Sequence, residues 1–490
     1  MKKKIIALVT LTLVAKTIAF LKEMVLAYVY GTSDISDAFV IAISIPIMVY
    51  SMLSAGIVSG FIPIYGEIKQ KNNKDAQIFA NSVFGAILIL GVTIASVCFV
   101  ASNDIAIILA RGFEGQALQN IGDFLRISSV AVFLNSILCF QLALCQAERK
   151  TSIMGVISIP LNMLMVVAIL LSYRTGYIRI LPMGYVIGCL VQLAISWYVT
   201  SNSVGKVTPL FKFNNSYMRL LLRNSGVLLL GASLSQINFL IDKILASSTF
   251  IGGVTTLEYA NRVTDLISGI VILSISTVIF PRLSSCSNNF EQFKQIFNEG
   301  LKWLVIVIVP VVVYAVVFSE KIVELIYFRG AFNVDDLINT SMVFKGYAIG
   351  LIMFGFRELF TKVFYAKKDV KTPVVNSLIG VIFNIGLNYI LIKFMGLKGL
   401  AYATTIAATI TTVMLLIKLK KDRLLNICFN LNSAIYIGYI FIIMLLGGVF
   451  WRINETLNEC RGSFIIISIL YFVIVVIGCI SIRGRKRRRG

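Results

Sequence analysis

Long apolar runs alternate along this chain with short polar stretches. A membrane-spanning helix needs about 20 mostly apolar residues. Fourteen segments meet that length, at roughly 5–30, 37–65, 79–102, 124–146, 152–173, 180–200, 218–247, 255–280, 303–319, 337–365, 373–392, 399–417, 431–451 and 463–482. The first run follows Met1-Lys2-Lys3-Lys4 and carries Lys16, Lys22 and Glu23. It is too long for a signal peptide and has no small-residue cleavage site, so it reads as the first span. The pattern predicts an all-α polytopic membrane protein.

Composition agrees with the pattern. Of 490 residues, 58% are hydrophobic and 14% charged, and the mean hydropathy is +0.88. Soluble domains carry about 25% charged residues. An ordinary soluble enzyme is therefore excluded, and so is a disordered chain, which needs low hydrophobicity. The net charge is +22. In a soluble protein that would point to nucleic acid, but here the basic residues lie between apolar runs and report topology. With a cytoplasmic N-terminus, the cytoplasmic segments hold 28 Lys/Arg and the outer loops 9, taking Arg219 and Arg223 with their loop; 8 more lie within spans. This bias places both termini in the cytoplasm. There is no histidine, which removes His-based acid–base chemistry and the usual zinc ligand sets. None of the eight cysteines forms a CxxC pair, and they read as small buried hydrophobes.

The chain also resembles itself at an offset of about 220 residues. Ile108-Leu109-Ala110-Arg111-Gly112-Phe113 answers Ile326-Tyr327-Phe328-Arg329-Gly330-Ala331. Gln146-Ala147-Glu148-Arg149-Lys150-Thr151 answers Tyr365-Ala366-Lys367-Lys368-Asp369-Val370, and Phe61-Ile62-Pro63 answers Ile279-Phe280-Pro281. Six spans per repeat make the two repeats parallel, related by a pseudo-twofold axis along the membrane normal. The expected lobes are residues 1–205 (spans one to six) and 206–425 (spans seven to twelve). Residues 426–490 add two extra C-terminal helices and a basic tail. Transporters with such halves bind substrate near their interface and rock one half against the other.

Charges inside spans cost roughly 2.5–3.5 kcal/mol each at a helix centre, and normally face a cavity or a partner. Span one carries Lys16, Lys22 and Glu23. Lys16 and Glu23 share a face, with Lys22 about 120° round from Lys16. Span eight carries Glu258, Arg262 and Asp265 at i, i+4 and i+7. That stripe has two readings: a self-neutralising ladder, or an anion-binding arginine held by two carboxylates. Arg suits phosphate because its planar fork binds two oxygens. Lys16, Lys22 and Arg262 together suit a polyanionic head such as a pyrophosphate. Glu358 and Lys362, at i and i+4, read as a structural pair. Asp242 in span seven, Asn384 and Asn388 in span eleven and Thr404 in span twelve offer hard oxygen ligands for sodium, or interhelical hydrogen bonds.

These residues bring a resemblance into view. Lys16-Thr17-Ile18-Ala19-Phe20-Leu21-Lys22-Glu23, Tyr30-Gly31, Ser36-Asp37-Ala38-Phe39, Pro46, Gly56 and Phe61-Ile62-Pro63 resemble the opening of the MurJ/MviN family of lipid II flippases. Tyr259-Ala260-Asn261-Arg262 with Phe280-Pro281-Arg282-Leu283, and Lys371-Thr372-Pro373, are similar to its eighth span and tenth loop. The resemblance implies that Lys16, Lys22 and Arg262 hold the pyrophosphate. It implies that Asp37 is the acidic residue the family carries at the start of span two; with Glu23, Glu258 and Asp265 it makes up the candidate acidic or gating groups. It also implies sodium ligation at Asp242, Asn384, Asn388 and Thr404, and a groove for the polyprenyl tail at spans thirteen and fourteen. Two departures stand out: lysines replace both span-one arginines, and Tyr50-Ser51-Met52-Leu53-Ser54-Ala55-Gly56 lacks an arginine and a glutamate common in the family.

The expected function is transfer of an undecaprenyl-pyrophosphate-linked peptidoglycan precursor across the bacterial cytoplasmic membrane by alternating access, without catalysis. The expected partners are this lipid-linked glycan and membrane lipids, with no nucleic acid, no cofactor beyond a sodium coupling ion, and a monomeric state. The alternatives are a flippase for another polyprenyl-pyrophosphate glycan, such as an O-antigen or capsule unit, and a cation-coupled multidrug exporter.

Overall fold

A computed structural model of the chain describes residues 2–204, 207–212, 216–421, 433–456 and 464–475. The first repeat forms α1 (Lys2–Tyr30), α2 (Asp34–Lys71), α3 (Asn73–Val100), α4 (Ser102–Leu109), α5 (Gly115–Ala147), a 3₁₀ turn (Thr151–Gly155), α6 (Ser158–Thr175) and α7 (Ile180–Val204). The second forms α8 (Ser216–Ser247), α9 (Gly253–Ser285), α10 (Phe290–Val317), α11 (Ser319–Tyr327), α12 (Val334–Ala366), α13 (Lys371–Met395) and α14 (Lys398–Lys421). Two more follow, α15 (Ser433–Thr456) and α16 (Phe464–Val475). Among the described residues every regular element is helical. Among the described residues ten helices are long and apolar enough to cross a membrane, with α15 and α16 contributing shorter apolar stretches. Cys428, Cys460, Cys479 and the tail Arg483–Arg489 lie outside the described residues.

Local sequence explains where these helices start and stop. Ser33 caps α2 in a reciprocal capping box with Ser36. Asn72 separates α2 from α3 and caps the latter through the Lys74 N–H. Asn289 does the same for α10 through Gln292. Each cap answers an N–H that the helix leaves without an internal partner.

The repeat is visible in backbone detail. Among the described residues, the non-glycine residues with positive φ are Arg149 (59°) and Lys368 (63°), which stand at matching positions of the two repeats. In each case the next N–H reaches back over the helix end, Lys150 to the Cys145 carbonyl at 2.8 Å and Asp369 to the Phe364 carbonyl at 3.0 Å. The long helix of each repeat is thus closed by the same left-handed C-terminal motif.

Two stretches differ from expectation. Residues 103–123 and 320–336 read as outer loops, yet they hold most of α4 and of α11. Each is too short to register as a span. Ser102, Ala106 and Leu109 bury one face of α4, and Ser319, Val323 and Tyr327 one face of α11. The spacing is helical. The fifth expected span is also broken, into the 3₁₀ turn and α6.

By packing, the chain forms two compact units: Met1–Glu258 with Arg329–Asn333, and Tyr259–Phe328 with Val334–Gly490. These units do not follow the sequence repeat, because α8 packs on α2 and belongs to the first. The core of the first unit gathers around Phe61, whose ring lies 5.3 Å from Tyr65 and 5.6 Å from both Phe79 and Phe140.

The second unit packs α9, α10, α12 and α14 with the two C-terminal helices. Pro310 within α10 has no N–H, so the Ile306 carbonyl one turn earlier loses its intrahelical donor. The Tyr439 hydroxyl of α15 donates to that oxygen at 2.8 Å. The Tyr471 hydroxyl of α16 donates to the Pro310 carbonyl at 3.0 Å, and Tyr314 bonds Ser468. α15 and α16 are therefore fastened where the proline opens α10. Tyr439→Phe leaves the buried Ile306 carbonyl without this donor and is expected to cost about 1–3 kcal/mol. Unfolding in detergent should show it as a lowered midpoint; an unchanged midpoint would remove the hydroxyl from the fastening.

Candidate functional site

The charges of interest sit on helices that are mostly apolar, so their partners decide what they can do. In the first unit, Lys22 and Glu23 of α1 are buried and their side chains pair at 2.8 Å. Lys16, earlier on the same helix, is exposed. Asp242 and Lys243 of α8 are both buried, each 6% exposed. Lys243 pairs with Glu258 of α9 at 3.2 Å and donates to the Ser44 hydroxyl of α2 at 3.3 Å. Its ammonium also lies 4.7 Å from the centre of the Phe239 ring. Glu23 and Asp242 occupy equivalent positions in the two repeats, each beside a lysine.

Asp37 of α2 is completely buried. Its Oδ2 accepts the Gly252 N–H at 2.7 Å. Its Oδ1 accepts the Thr255 N–H at 2.7 Å and the Thr255 hydroxyl at 2.5 Å. These donors are the opening turn of α9, where the helix dipole favours an anion. Asp37 thus joins a first-repeat helix to a second-repeat helix inside the first unit. Gly112 and Gly330 belong to the same unit. A Cβ on either would stand 2.2 Å from a carbonyl oxygen, of Ser247 and Tyr28 respectively. Those carbonyls end α8 and α1, so matching glycines of the two repeats let matching helix ends come close.

In the second unit, Arg262 is half-buried and Asp265 exposed on α9. Both take part in polar or electrostatic contacts. Glu358 and Lys362 form the expected i, i+4 pair at 3.1 Å. Asn384, Asn388 and Thr404 come together: the Asn388 amide donates to Asn384 Oδ1 at 3.0 Å, and the Asn384 amide donates to Thr404 Oγ1 at 3.2 Å. The fourth expected ion ligand, Asp242, belongs to the first unit. Among the described residues no cluster of three or more His, Cys, Asp or Glu is placed to hold a metal.

The main residue that sequence reading counted but did not assign is Lys243. A visible signal was its position beside Asp242, which is opposite to it in sign and stands where the other repeat carries Glu23. What periodicity cannot show is that Glu258 turns to Lys243 on another helix. A buried pair of this kind is costly to break from one side. Lys243→Met is expected to lose about 3–5 kcal/mol by stranding the Glu258 charge, and Lys243→Met with Glu258→Gln to regain most of it. A double-mutant cycle on unfolding midpoints reads this directly, and simple additivity would deny the coupling.

Comparison with known proteins places these features in context. A family model described as lipid II flippase MurJ matches residues 26–472. A probable lipid II flippase MurJ from Buchnera aphidicola subsp. Baizongia pistaciae is 28% identical over 427 residues, covering 85% of this chain and 83% of the relative. The solved structure of a lipid II flippase MurJ in an inward closed conformation superposes with a TM-score of 0.84 at 22% identity, covering 98% of this chain and 99% of that one. An inward-facing multidrug resistance MATE family transporter of the MOP superfamily gives a TM-score of 0.71 at 15% identity, covering 86% and 98%; that likeness is one of fold.

Proposed function

The chain belongs to the lipid II flippase MurJ family, and from that premise we propose that it moves lipid II from the inner to the outer leaflet of the bacterial cytoplasmic membrane. The observation that carries the reading is the buried lysine Lys22, paired with Glu23 on a long helix of an otherwise apolar chain. Such residues are expensive in a bilayer and are retained where they meet an ion or a substrate. The substrate head is a pyrophosphate bearing sugars, and its anionic oxygens suit lysine and arginine donors.

In the proposed cycle, Lys16, Lys22 and Arg262 bind the pyrophosphate while the polyprenyl tail stays in lipid. Glu23 holds Lys22 between turnovers and gives it up to the incoming anion. Alternating access then exposes the head to the other side. No covalent bond is made or broken, so the protein acts as a transporter without catalysis. The basic-residue bias supports cytoplasmic termini. Asn384, Asn388 and Thr404 offer neutral oxygens, and we assign them a sodium coupling ion; binding would have to displace the hydrogen bonds they now make to one another.

The test is complementation in a bacterium depleted of its own lipid II flippase, at matched expression. Wild type is expected to restore growth. Lys22→Ala and Arg262→Ala, each removing a charge-assisted contact worth about 1.5–3 kcal/mol, should reduce function about tenfold or more. Asn388→Ala should blunt any dependence of growth on external sodium. Well-expressed wild type that fails where another lipid II flippase rescues would turn the assignment toward a different polyprenyl-pyrophosphate glycan. Full rescue by both charge variants would make these residues structural.

A further inference from the structure

Arg126 lies on α5, close to the end that carries α4, and is exposed on a helix that runs through the apolar segment. It has no carboxylate partner among the described residues. Its Nε donates to the Ser102 hydroxyl at 3.3 Å, and its guanidinium sits 5.9 Å from the centre of the Phe99 ring. Asp123, one turn earlier on α5, is engaged by Arg179 at 2.6 Å. The guanidinium borders a groove of about 460 Å³ whose other walls are Phe99, Ile127, Val130, Met183, Val186 and Ile187. Phe99, Val130, Met183 and Ile187 are all exposed, so on a spanning segment this groove opens toward lipid.

A lone cation beside an apolar groove at the end of a spanning segment needs an anion that arrives with hydrocarbon attached. We propose that this groove, formed by α3, α5 and α7, binds one anionic phospholipid, with its phosphate on Arg126 and an acyl chain along Ile127, Val130, Met183 and Ile187. Ser102 and Phe99 hold the guanidinium over the mouth of the groove, which lowers the cost of ordering it. Arginine can give two N–H groups to a phosphate, and the apolar walls take up chain methylenes that lie beside them. The second repeat supplies a parallel: Lys345 stands on α12 at the position matching Arg126, and it too is exposed. Both repeats therefore carry an exposed cation at the same level along a matching helix. With cytoplasmic termini, that level is in the outer half of the bilayer. This site uses none of the residues assigned to the flipped substrate and does not depend on which glycan is carried.

The test places a reporter in the groove. Met183→Trp, on its rim, introduces an indole into the full-length protein in proteoliposomes, and the signal of Trp197, Trp303 and Trp451 is subtracted using the parent. Quenching is compared between brominated phosphatidylglycerol and brominated phosphatidylcholine. The expected result is about tenfold tighter apparent binding of the anionic lipid, the size of one charge-assisted contact. That preference should fall to about one when Arg126→Gln is added, with elution on size exclusion unchanged. The reporter senses only lipid in contact with it, so anionic lipid held elsewhere, for example by the C-terminal basic tail, does not enter. Equal quenching by the two lipids with Arg126 present overturns the proposal, and so does a preference that survives Arg126→Gln.

Discussion

The hydrocarbon of a membrane offers no water, so every charge and every freed carbonyl that enters it must be met by the protein or by lipid. That constraint organises this molecule. Lys22 is met by Glu23, and Lys243 by Glu258 and Ser44. The carbonyl opened by Pro310 is met by Tyr439. Asp37 is met by the first turn of α9. The last contact shows how far the constraint reaches. A carboxylate fully withdrawn from solvent is held by two backbone N–H groups and a hydroxyl, and so links helices from two repeats that are far apart in sequence.

The same constraint suggests how a transporter of anions stores its cations. A bare lysine in the bilayer would be too costly to keep, and one bound irreversibly would be useless. Pairing with a single glutamate leaves the ammonium charged and lets a better anion compete for it. Lys22 beside Glu23 fits that description, since both belong to one helix and the pair can part without separating two elements. Lys243 is held by groups on two other helices, which suits it to fixing the position of α8. A span-one lysine in place of arginine keeps the charge and gives up the two-pronged geometry. The recognition proposed for these positions therefore leans on charge.

Much of the fold was legible in the sequence. Run length gave the spanning helices, and matching peptides such as Ile108–Phe113 and Ile326–Ala331 gave the repeat. The repeat then reappeared in the left-handed residues Arg149 and Lys368, which no hydropathy pattern encodes. The short helices α4 and α11 escaped because a length test for spans passes over them. The charge stripe Glu258, Arg262 and Asp265 was read along one helix, whereas Glu258 also serves another. Spacing along a helix fixes which residues share a face, and the choice of partner across helices is made by packing. Asp37 illustrates the same limit: its position at the start of α2 was plain, but the helix end it caps lies more than 200 residues away.

In the proposed cycle Lys22, with Lys16 and Arg262, carries a pyrophosphate-linked head across the bilayer. The most direct measurement is translocation by the purified protein in proteoliposomes, comparing fluorescent lipid II with the same glycan on a polyprenyl monophosphate. Removal of one phosphate removes charge and contacts while leaving sugar and tail alone. The account predicts that lipid II crosses at least about tenfold faster, the effect of losing one charge-assisted contact. Equal rates for the two lipids, or no protein-dependent movement of lipid II, would contradict it.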